Sequence, residues 1–152
     1  MGAQRTEGMQ ERPGDGEPAG EVYDWYVRGL SLLESGNAAA AAELLAHARS
    51  RERDSASVLE ALARAVFDAK RYAEAHQLFG VLVETTPDND YARFGLGLSL
   101  MRAGDVPGAV EQLALAAAMR PERADYRQAL REARATLRAR AQVAGGPPQV
   151  SP

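Results

Sequence analysis

The residues with chemistry to offer are few. His47 and His76 fall on separate helical periods, and neither is followed at i+3 or i+4 by a second ligand that would make a metal pair. There is no cysteine, which removes a disulfide framework, a thiolate metal site and a Cys nucleophile together. No Ser/His/Asp arrangement, no GxGxxG and no phosphate loop occurs, and Gly95-Leu96-Gly97 reads as close helix packing. Glu60 and Arg64 stand four apart and read as a local ion pair on a helix face. Arg127, Arg131, Arg134 and Arg138 make a stripe near the C-terminus. Such a stripe is either the charged outer face of a capping helix or a phosphate-contacting face. The cap is favoured, because the helix lacks interleaved aromatics and the rest of the domain is acidic. No catalytic residue, metal or cofactor is expected, so the protein is read as no enzyme, and its action must come from a surface.

What positions such a surface is a chain of 152 residues, enough for one modest domain with free ends. Hydrophobic residues make up 45% and charged ones 26%, with a net charge of -3, so the chain as a whole offers no pull towards nucleic acid or anionic lipid. No apolar run reaches the roughly 18 residues needed to cross a bilayer. A soluble cytoplasmic protein with no membrane partner is expected. Lys70 is the one lysine among many arginines, and alanine abounds, a composition that reads as bacterial. Residues 1–20, rich in Gly and Pro without apolar periodicity, are expected to be a disordered tail, as are residues 145–152 around GGPPQVSP. The opening MGAQRT fits a myristoylation pattern at Gly2 with Thr6 in the last place, but bacterial composition argues against that modification.

The segment between repeats itself every 34 residues, without a gap, at 22–55, 56–89 and 90–123. Small residues align in two columns, Gly29/Ala63/Gly97 and Ala41/Ala75/Ala109, and large apolar residues in two more, Leu32/Val66/Leu100 and Leu45/Phe79/Leu113. Each block holds two helical periods, parted at Ser35-Gly36-Asn37, Ala69-Lys70-Arg71 and Ala103-Gly104-Asp105. In the third block, Gly104 suits a left-handed helix end, Asp105 a cap and Pro107 a first turn. The pattern predicts three antiparallel hairpins that must stack to cover their apolar faces. Tyr126, Leu130, Ala133 and Leu137 then form one stripe of a capping helix over 124–143, closing a domain of 21–144.

These blocks resemble the tetratricopeptide repeat. The third supplies Leu96, Gly97, Ala109, Leu113, Ala116 and Pro121, and the second Leu62, Ala75, Phe79 and Pro87. The first keeps Trp25, Gly29, Ala41, Leu45 and Ala48 but has Arg53 where proline is usual. The resemblance implies an all-α, right-handed α-α superhelix of three helix hairpins and a capping helix, acting as an adaptor or scaffold that binds proteins.

In that family the first helices line a concave groove, through residues one, four, eight and eleven places after each repeat's start. The resemblance therefore implicates Tyr23, Tyr26, Leu30 and Leu33, then Ser57, Glu60, Arg64 and Phe67, then Tyr91, Phe94, Leu98 and Met101, with Asp125 and Gln128 from the cap. Leu33, Phe67 and Met101 are equally open to a core reading. Members that hold acidic chaperone C-termini carry a clamp of Lys, Asn and Arg at the second and third of these positions, where this chain has Tyr26 and Leu30, Glu60 and Arg64, Phe94 and Leu98. Only Arg64 suits such a clamp. The expected partner is instead a largely apolar helix or extended segment, oriented by Arg64 or Glu60. Burying three or four such side chains at roughly 1.5 to 3 kcal/mol each supports micromolar binding after ordering costs. Self-assembly through the same groove, giving a homo-oligomer, is the alternative, with nucleic-acid binding by the arginine stripe a lesser one.

Overall fold

Three residues 34 apart, Gly36, Lys70 and Gly104, turn the backbone into the left-handed region with φ of 84°, 64° and 91°. Each ends a helix with the same bond, donated by the amide that directly follows the left-handed residue: Asn37 to the Leu32 carbonyl at 2.8 Å, Arg71 to Val66 at 3.0 Å and Asp105 to Leu100 at 2.9 Å. The computed structural model describes residues 17–146, and among these it has seven α-helices and no strand. They are α1 Val22–Glu34, α2 Ala38–Arg51, α3 Ala56–Asp68, α4 Tyr72–Thr85, α5 Asp90–Ala103, α6 Val106–Met119 and α7 Ala124–Gly145. The Gly2/Thr6 pattern and most of the two expected tails lie outside the described residues.

The odd helices begin in one register, at 22, 56, 90 and 124. Ser55 accepts from the Val58 amide at 3.3 Å and Asn89 from Ala92 at 3.0 Å, so two of those starts are capped by side chains. The restart of α6 is also capped, by the Asp105 carboxylate, whose Oδ1 accepts from the Gly108 amide at 3.0 Å, with Pro107 in the first turn.

Within each hairpin the small columns set the distance between backbones. A Cβ on Gly29 would lie 2.6 Å from Leu45 Cγ, and one on Gly97 would lie 2.6 Å from Leu113 Cγ. Ala41, Ala75, Ala109, Leu45 and Leu113 are fully buried, and Phe79 nearly so. Leu32 departs from its column by being half-buried, since among the described residues no helix packs on the far side of α1 as α2 does for α3.

Consecutive helices pack in chain order, and the first helices also meet across repeats, α1 with α3, α3 with α5 and α5 with α7. The second helices α2, α4 and α6 do not touch one another. First helices therefore crowd the inner side of a curved, all-α solenoid, and second helices splay on the outer side. On α7 the predicted stripe faces inwards: Tyr126, Leu130 and Ala133 are buried and Leu137 half-buried. The Tyr126 hydroxyl donates to Asp90 Oδ2 at 2.7 Å, tying α7 to the start of α5. Burial, then this bond, push the Tyr126 phenol well above its ordinary range. Arg131 and Arg134 stand 34 places after Gly97 and Leu100, in the columns where a following helix would pack, and both are exposed. At the other end, residues 17–20, read from sequence as tail, lie against the first hairpin. Trp25 Nε1 donates to the Ala19 carbonyl at 3.1 Å, and Glu17 pairs with Arg51.

Candidate functional site

The inner face of α1, α3 and α5 carries two adjoining hollows. The first, of about 490 Å³, is lined by Tyr26 and Leu30 of α1, Ser57, Glu60, Ala61 and Arg64 of α3, and Tyr91 of α5. The second, of about 130 Å³, is lined by Arg64, Phe67 and Asp68 of α3, Phe79 of α4, and Tyr91, Phe94, Gly95 and Leu98 of α5. Arg64 and Tyr91 belong to both. Their i, i+3/i+4 spacing places each helix's lining residues along one stripe, and the matched starts of α1, α3 and α5 bring the stripes level.

Nine of the fourteen groove positions taken from sequence thus meet around these hollows: Tyr26, Leu30, Ser57, Glu60, Arg64, Phe67, Tyr91, Phe94 and Leu98. Five do not. Tyr23 is 73% exposed on the rim of α1. Met101 packs between the main core and the cluster under α7. Gln128 donates to its neighbour Glu132 at 3.0 Å. Of the positions open to a core reading, Leu33 is core, whereas Phe67 is half-buried, meeting Tyr72 edge-on at 5.2 Å and facing the second hollow. Asp125 pairs with Arg123 at 2.7 Å, and that guanidinium holds its carboxyl below the usual range.

Phe79 is a lining residue that sequence reasoning kept in the core. Its ring is 2% exposed yet forms part of the second hollow, because a Cβ on Gly95 would stand only 2.4 Å from it. The signal was there in Gly95, which has Val27 and Ala61 at the matching places of the other repeats. Phe79 also meets Tyr91 edge-on at 6.3 Å. Phe94 stacks on Tyr126 with centroids 4.6 Å apart, so it is both wall and support.

The charges differ from expectation. Glu60 and Arg64 do not pair; Glu60 Oε2 accepts from Asn89 Nδ2 at 3.1 Å, while Arg64 Nε lies 4.0 Å from Asp68 Oδ2. Asn89 caps α5 with its oxygen, which leaves its amide group facing α3. Arg64 keeps a loose partner at the limit of ion pairing, with 47% of its side chain exposed. Burial holds the Tyr91 phenol above its ordinary range, and the nearby Arg64 guanidinium offsets only part of that rise. The arrangement offers apolar and aromatic walls, an acid already engaged and a guanidinium with donors to spare.

Among the described residues no group of His, Cys, Asp or Glu is placed to hold a metal, and no helix is long and apolar enough to cross a membrane. His47 meets Trp25 edge-on at 6.4 Å.

A tetratricopeptide repeat family model matches residues 32–89 and 66–133. No curated protein matches the chain. Among solved structures, a MamA mutant is similar with a TM-score of 0.69 at 23% identity, over 78% of this chain and 65% of that one. This chain thus spans just under two thirds of that relative's length. A MamA fragment from Desulfovibrio magneticus gives a TM-score of 0.73 at 18% identity, covering 76% of this chain and 66% of that one. The first such repeat domain of the human RPAP3 protein gives 0.71 at 14% identity, over 78% of this chain and 93% of that one. At these identities the likeness is one of fold.

Proposed function

Because this chain belongs to the tetratricopeptide-repeat family, whose repeats serve as protein-interaction modules, we propose that its inner face holds a segment of a partner protein. The segment is largely apolar and carries a carboxylate near one apolar side chain. The observation behind this reading is the position of Arg64, shared by the two hollows and only loosely paired. Glu60 is engaged by Asn89, so the orienting role falls to Arg64. An apolar side chain fits the small aromatic hollow, the backbone lies along the larger one, and a carboxylate meets the guanidinium between them. The protein acts as a non-catalytic adaptor, and its lack of cysteine suits a reducing cytoplasm.

Affinity capture with wild type beside Tyr26→Ala and Arg64→Ala tests this. Both residues line the larger hollow, and neither is fully buried, whereas Phe94 also supports Tyr126. Each variant is expected to lose the partner that wild type retains, by about tenfold or more in affinity, with unchanged helical content. Equal retention by wild type and both variants would remove the groove from the account. Light scattering on the same samples separates self-assembly, which predicts a mass that drops with either substitution.

A further inference from the structure

A third hollow, where α2 and the turn after it meet α3, has no part in this groove. It measures about 300 Å³, at the lower end of small-molecule sites, and is lined by Ala46, Arg49, Ser50, Arg53 and Leu62. Both arginines depart from the repeat. Arg49 stands where the later repeats have Val83 and Ala117, and Arg53 where they have Pro87 and Pro121. The two departures occur in one repeat and meet in one place. Arg49 Nη1 is buried without a hydrogen-bond partner, and among the described residues no acid pairs with Arg49 or Arg53.

A cation in the last turn of α2 is favoured by the helix dipole, and that accounts for a charge there. It does not supply the buried Nη1 with an acceptor, whose lack is costly. The Ser50 hydroxyl is engaged with the His47 carbonyl at 2.6 Å, so the free donors of the hollow are guanidinium groups. Leu62, 5% exposed, forms an apolar wall that strengthens charge interactions beside it. We propose that Arg49 and Arg53 form a site for a phosphate group. Two guanidinium forks match a phosphate in charge and in acceptor number, where a carboxylate would balance only one.

The test is an NMR titration of the full chain with inorganic phosphate against chloride at constant ionic strength, with acetate as a parallel arm. Phosphate is expected to give saturable amide shifts at Ser50 and Leu62. Binding should weaken about tenfold or more in Arg49→Gln and in Arg53→Gln, and hold in Arg131→Gln, which removes the same charge elsewhere. If Arg49→Gln unfolds, Arg53→Gln still decides, since Arg53 lies in an exposed turn. Shifts that fail to saturate, equal weakening in Arg131→Gln, or acetate binding as tightly as phosphate would each overturn the proposal.

Discussion

At Gly97 there is no space for a methyl group. Its added Cβ would meet the Leu113 side chain at 2.6 Å, and Leu113 is fully buried and cannot swing away. Gly80, in the middle of α4, has nothing within 4 Å of the same position. The two glycines therefore predict opposite signs for one chemical change. Gly97→Ala should destabilise by about 1–2 kcal/mol once helix propensity is set against overpacking, while Gly80→Ala should stabilise by about 0.5–1 kcal/mol. Chemical denaturation of both variants checks this, and a common sign would contradict the packing described. Gly97 was legible in the sequence because it recurs in a column with Gly29 and Ala63. The pairing of Glu60 with Asn89 was not, because the two lie 29 residues apart and meet only through the angle between hairpins.

Among the elements, the turns between paired helices hold the clearest conflict between residue and conformation. Lys70 adopts φ 64° in the place that Gly36 and Gly104 fill elsewhere. A side chain there is strained by roughly 1–2 kcal/mol, part of which glycine's freedom in the unfolded chain offsets. Lys70→Gly is expected to raise stability by about 0.5–1 kcal/mol, and Gly104→Ala to lower it by about 1 kcal/mol, both read from thermal melts with unchanged helical content. A destabilised Lys70→Gly would mean that the turn has another geometry. Sequence pattern located this break only by its distance from the other two, since Ala69-Lys70-Arg71 has no turn-forming residue. Where glycine was present, the turn could be read directly; where strain replaced it, only periodicity revealed it. The strap of residues 17–20 lay beyond that method, because a segment outside the period has no column to align with.

For the whole molecule, curvature decides which face can enclose a partner. First helices meet across repeats and second helices do not, so the hollows lie on the first-helix side. Arg131 and Arg134 of α7 occupy the columns where a further hairpin would pack, and on the proposed reading the inner face is the working surface. The 34-residue register made this architecture legible, but the contents of the groove depend on rotamers and pairings that register does not set. The most direct measurement places a photo-crosslinking residue at Ser57, on the wall of the larger hollow, and in a second sample at Gln77, exposed on α4. The account predicts that the partner becomes linked from position 57 and not from 77; linkage from 77 with none from 57 would contradict it.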